Sequence, residues 1–114
     1  MQLGLEVERS GDVAVVTVRG DLDLASAPRL RTLALDEMLA GSRRLVLDLR
    51  TLEFVDSVGL GMIVAILKRA RSLGGDVALV VGTDRIRRPL ELSGVAAIVA
   101  VHDDVAAAVA GDQT

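Results

Sequence analysis

The chain has no cysteine, tryptophan or tyrosine, and only one phenylalanine and one histidine among its 114 residues. Without cysteine there can be no disulfide, thiolate nucleophile or Cys-ligated zinc. The lone histidine, His102, has no second histidine to complete a metal pair. Neither a metal nor a cofactor is therefore expected. Long apolar runs are missing too. The longest, Val58 to Leu67, falls well short of the roughly 20 residues that span a bilayer. The N-terminus lacks the basic stretch and apolar run of a secretory signal. These absences point to the cytoplasm, without direct membrane insertion. A net charge of −3 argues against nucleic acid, where a basic stripe would be expected. The local basic clusters (Arg43-Arg44, Lys68-Arg69-Arg71, Arg85-Arg87-Arg88) mostly lie beside predicted helix ends or turns. They read as solvated surface.

What is present is aliphatic. Hydrophobic residues make up 51% of the chain, enough for one compact core built from Val, Leu, Ile and Ala. The length suits a single domain over residues 1–114, with 111–114 expected to fray. Leu3, Leu5 and Val7 alternate with polar or small residues and predict a half-buried strand. After a Ser10-Gly11-Asp12 turn, Val13 to Val18 predicts a second, antiparallel strand. Gly20-Asp21-Leu22-Asp23 reads as a loop. Ser26 and Pro28 open a helix that ends at Gly41. Strands are expected over Leu45 to Leu49, Val77 to Val81 and Ile98 to Val101. Helices are expected from Asp56-Ser57 to about Leu73, from Thr83 or Asp84 to about Leu92 with a kink at Pro89, and after Asp103-Asp104. The order is β-β-α-β-α-β-α-β-α. This predicts an α/β domain with a mixed, mostly parallel sheet packed with about four helices.

The most informative stretch runs from Asp48 to Leu67, DLRTLEFVDSVGLGMIVAIL. Ser57 lies at a helix N-terminus, where free N–H groups and the helix dipole favour an anion. Either Asp56 or Ser57 could equally be an ordinary N-cap. Gly59 and Gly61 each cost roughly 1 kcal/mol relative to Ala inside a helix. They imply close approach to the sheet, a bare surface for a partner, or both. Leu60, Ile63, Val64, Leu67 and Ala70 form one apolar stripe, while Val58, Met62, Ala65 and Ile66 carry apolar surface further round the axis. That second face is either covered by another helix or exposed as an interaction site. A phosphate on Ser57 would bring about −1.5 to −2 charges into such a contact.

These residues resemble a known family. Phe54-Val55-Asp56-Ser57-Val58-Gly59-Leu60-Gly61 is similar to the signature of STAS-domain anti-sigma factor antagonists. Gly20-Asp21-Leu22-Asp23 resembles the family's acidic docking loop, and Leu92-Ser93-Gly94-Val95 matches a further family turn. The likeness covers nearly the whole chain. It implies a non-enzymatic partner switch, with Ser57 phosphorylated by an anti-sigma factor serine kinase and reset by a serine phosphatase. It also implies docking through Asp23, and with it Asp21, beside Asp56 and Ser57. The glycine-lowered apolar surface of the helix adds Val58, Gly59, Gly61 and Met62 as expected contacts, and a monomer or weak dimer is expected. Asp21 and Asp23 have an alternative reading as turn and cap residues. Val58 departs from a common family version that carries a second Ser or Thr there, which leaves Ser57 as the lone acceptor in the motif.

Two other readings compete. A Ser57–His102–Asp triad would make the chain a hydrolase, but Ser57 lacks the glycine two residues before it that a nucleophile elbow needs. Small STAS domains also serve as accessory subunits of lipid transporters or as signalling scaffolds, without phospho-switching.

Overall fold

The computed structural model describes residues 2–111. Two strands open the fold, β1 (Gly4–Ser10) and β2 (Val13–Leu22), followed by helix α1 (Ala27–Leu39). Then come β3 (Arg44–Asp48), β4 (Leu52–Val55), α2 (Ser57–Ser72), β5 (Asp76–Val80) and α3 (Asp84–Leu92). A 3-10 turn (Val95–Ala97), β6 (Ala100–His102) and α4 (Val105–Ala110) complete it. The sheet runs β1-β2-β3-β5-β6, and β4 pairs with β2. Among the described residues, only the β1–β2 pairing is antiparallel. The α/β class, the mixed sheet and the four helices match the sequence expectation.

Three details differ from it. Gly20-Asp21-Leu22 is the end of β2 rather than a loop. The strand passes a register shift between Gly20 and Asp21, with Gly20 at φ +88°, and pairs with β4. The sequence reading had no β4. The last strand starts at Ala100 rather than Ile98, because Ile98 closes the 3-10 turn through its N–H to the Val95 carbonyl. Of the four residues expected to fray, Gly111 caps α4 at φ +66°; residues 112–114 lie outside the described residues.

Strand periodicity divides the core between the two faces of the sheet. Leu45 and Leu47 of β3 and Val77 and Leu79 of β5 join the large cluster formed with α1, α2 and α3. Val46, Ala78 and Val80 point the other way and pack against Ala108, Val105 and Val109 of α4. Central strands covered on both sides read as nearly continuous apolar runs.

Two buried carboxylates are each clamped by an arginine, Asp48 by Arg50 and Glu37 by Arg9. Glu37 of α1 is 6% exposed, and Arg9 of β1 clamps it through two hydrogen bonds of 2.6 and 2.7 Å. The Arg9 hydrogen bonds hold the Glu37 carboxyl below the usual glutamate range, against the opposing pull of burial. A carboxylate with a depressed folded pKa stabilises the fold above its unfolded value of about 4.3 and loses that contribution as pH falls through the folded value. Arg9→Met is therefore expected to lower the urea midpoint at pH 7. The gap from wild type should narrow in acid and close only below the depressed folded value of Glu37, where the carboxyl is protonated in both proteins. A gap that stays constant with pH would mean that Arg9 contributes packing alone.

Candidate functional site

The site forms where the C-terminal end of β2, β4 and the start of α2 converge. Asp56 has extended backbone and caps α2, its Oδ1 accepting from Gly59 N at 2.8 Å. Its Oδ2 accepts from Leu24 N at 3.1 Å. The Asp56 N–H donates to the Leu22 carbonyl at 3.2 Å. One side chain thus closes the helix start and ties the acidic loop to it. Ser57 is the first helical residue and is exposed. Among the described residues, its hydroxyl has no recorded hydrogen bond. Of the two cap candidates, the fold uses Asp56 and leaves the serine hydroxyl facing outward.

Asp23 organises the preceding loop. Its Oδ1 accepts from Ala25 N at 3.1 Å and Ser26 N at 3.0 Å, and the Ser26 hydroxyl lies 3.1 Å away. Ser26 in turn donates to the Asp21 carbonyl at 2.7 Å and accepts from Asp23 N at 3.0 Å. These are the bonds of a turn. Ser26 was expected to cap α1, but it makes no side-chain cap bond and serves this network instead. Asp21 and Asp23 are both half-buried and, with Asp56, give this end of the molecule its acidic character.

The two glycines have different surroundings. A methyl on Gly59 would collide with the Leu22 carbonyl oxygen and come within 2.9 Å of Val55 Cγ2. Gly59 is buried, and close approach of helix to strand accounts for it. Gly61 has nothing within 4 Å of where a methyl would stand, and it is exposed. The second apolar face of α2 is divided as well. Ile66 is buried, and Met62 is half-buried against the core. Val58 remains 41% exposed, and Ala65 is open to solvent.

Two residues near Ser57 were not singled out as contact residues from sequence. Leu24, whose N–H is held by Asp56, is 70% exposed, and Phe54, two residues before Asp56, is 50% exposed. The available signals were an apolar residue set among loop acids and the chain's one aromatic. With Val58 they give three exposed apolar side chains on the loop, strand and helix that meet at the start of α2. His102 is not brought to this site. It lies on β6, separated from β2 by β5 and β3, three strand spacings or about 14 Å. Among the described residues, no three His, Asp or Glu side chains cluster as a metal site would require.

Removing the Asp56 cap is expected to cost about 1 kcal/mol, because Gly59 N loses its acceptor. Asp56→Ala should lower the urea midpoint accordingly, whereas Asp56→Asn keeps one oxygen for Gly59 N but turns an NH2 toward Leu24 N, and should recover only part of it. Equal loss in both would assign the effect to the bond with Leu24 N and the carboxylate charge rather than to the cap bond.

The family model described as STAS domain matches residues 4–108. An anti-sigma F factor antagonist from Paenibacillus polymyxa is 31% identical over 106 residues, covering 91% of this chain and 90% of that protein. A crystal structure of an anti-sigma factor antagonist from Mycobacterium paratuberculosis superposes with a TM-score of 0.87 at 27% identity, covering 96% of this chain and 93% of the other. The Bacillus cell fate determinant SpoIIAA in its phosphorylated form gives a TM-score of 0.73 at 16% identity, over 96% of this chain and 100% of that one; at that identity the likeness is one of fold.

Proposed function

This chain belongs to the STAS domain family, and from that premise we propose that it is an anti-sigma factor antagonist controlled by phosphorylation of Ser57. The unmodified protein binds an anti-sigma factor serine kinase and so releases a sigma factor. Phosphorylation by that kinase ends the complex, and a serine phosphatase resets it. The protein does this by binding rather than catalysis, in the cytoplasm.

The observation that carries the reading is the division of labour at the start of α2. Asp56 makes the cap bond, so Ser57 is free of structural duty and open to an active site. A phosphate there would sit at a helix N-terminus, which favours anions, so modification need not disturb the fold. It would stand among exposed Leu24, Phe54 and Val58, where a hydroxyl is harmless and a dianion resists desolvation. Asp23, and with it Asp21, would meet a basic side chain of the kinase. Val58, Gly61 and the exposed part of Met62 would form the floor of the contact.

Affinity capture from native lysate, followed by mass spectrometry, tests this reading. The expected result is a kinase-like anti-sigma factor bound to protein unmodified at Ser57, and phosphate on Ser57 in the unbound fraction. Phosphate elsewhere, or equal phosphate in both fractions, would remove the switch from this residue.

A further inference from the structure

A groove of about 370 Å³ lies between α1 and α2, lined by Arg31, Leu35, Ala65, Ile66 and Arg69. Its floor is apolar, with Ile66 buried and Leu35 half-buried. The two arginines on its walls are exposed, and among the described residues neither forms an ion pair or a side-chain hydrogen bond. This distinguishes them from Arg9, Arg19, Arg50, Arg71 and Arg87, each of which has a carboxylate partner. Exposed Lys68 adds a third cation on the neighbouring position of α2.

The groove continues from the candidate site. Ser57, Gly61 and Ala65 follow each other at four-residue intervals and share one exposed side of α2. Ala65 is eight residues from Ser57, or about 12 Å along the axis, and Arg69 is about 18 Å away. A protein that rests on Ser57 and Gly61 therefore reaches the groove without any change of direction. The surface it meets is polarised: Asp21, Asp23 and Asp56 surround one end, and Arg31, Lys68 and Arg69 the other.

We propose that this groove is the second anchor of the docking surface, and that it receives an apolar side chain flanked by Asp or Glu on the kinase that binds at Ser57. This rests on the reading above and adds what that partner must carry: an acidic–apolar segment that lies about 12 to 18 Å along α2 from its contact at Ser57. The volume suits one or two side chains, and carboxylates are what the unpaired guanidinium groups can bind bidentately. The two ends, opposite in charge, fix the orientation of the partner on α2.

The experiment measures the affinity of a purified anti-sigma factor serine kinase, loaded with a nonhydrolysable nucleotide, for wild type, Arg31→Glu, Arg69→Glu, Arg69→Gln and Ser57→Asp. Arg88→Glu, an exposed residue of α3, controls for net charge. Both groove reversals are expected to bind about tenfold or more weakly, Arg69→Gln to fall between, and Arg88→Glu to match wild type. Thermal unfolding of each variant reports whether the fold survives, and the Gln variant keeps the test valid if the reversal disturbs the end of α2. Groove variants that bind like wild type while Ser57→Asp fails would overturn the groove and leave the switch standing. Weakened groove variants beside an unaffected Ser57→Asp would support the groove and remove the switch. Wild type that does not bind at all would overturn both.

Discussion

Ser57→Asp is expected to bind an anti-sigma factor serine kinase about a thousandfold more weakly than wild type, and Ser57→Ala to bind as well as wild type. The alanine result follows from the geometry. The serine hydroxyl makes no recorded hydrogen bond among the described residues and does not cap α2, so removing it breaks nothing in the fold. The aspartate result follows from the surroundings. Leu24, Phe54 and Val58 are each at least 41% exposed, and a partner that covers them strips water from whatever stands at position 57. A penalty of about 4 kcal/mol for an uncompensated charge corresponds to about a thousandfold in affinity. The phosphoprotein, with about −1.5 to −2 charges, should bind no more tightly than the aspartate variant. Misfolding would not explain such a loss, because an acidic residue in the first turn of a helix is favourable. Titration calorimetry with purified kinase and nucleotide reads both variants directly. Equal affinity of the two would end the proposal for Ser57.

Much of this site was legible because its chemistry is local. The boundary at Asp56-Ser57 follows from cap preference, and the glycines mark where helix and strand approach. The choice between Asp56 and Ser57 as cap was not legible, since both residue types cap. It is decided by Leu24, 32 residues away, whose N–H occupies the second carboxylate oxygen. A single hydroxyl oxygen does not offer those two separate acceptors. Strand β4 escaped sequence reading because Glu53 and Phe54 are both exposed between buried Leu52 and Val55, so no alternation betrays it. Its pairing with β2 then carries Gly20 to Leu22 into the sheet, overriding turn-forming residues through contacts distant in sequence. The second face of α2 was ambiguous for a similar reason. Burial of Ile66 beside exposed Ala65 depends on where α1 packs, which no single helix encodes.

The two glycines of α2 should respond with opposite signs to the same substitution. Gly59→Ala adds a methyl against the Leu22 carbonyl oxygen, within 2.9 Å of Val55 Cγ2 and 3.0 Å of Leu22 Cγ. That carbonyl cannot easily swing away, because it accepts the Asp56 N–H that seats the helix. Overpacking of this kind costs about 1–3 kcal/mol. The better helix propensity of alanine returns at most about 1 kcal/mol. A net loss of about 1 kcal/mol is expected, read as a fall of about 5 °C in thermal midpoint. The strain also pushes the start of α2 away from the acidic loop, so partner affinity should fall with stability. Gly61→Ala meets open space and gains propensity without a clash. It should raise stability by up to about 1 kcal/mol. Yet its methyl would stand one turn from Ser57 on the exposed side, so kinase affinity should fall while stability rises. Loss of binding in a more stable protein is the mark of a contact surface. If Gly61→Ala instead binds as tightly as wild type, the partner does not rest on that turn of the helix.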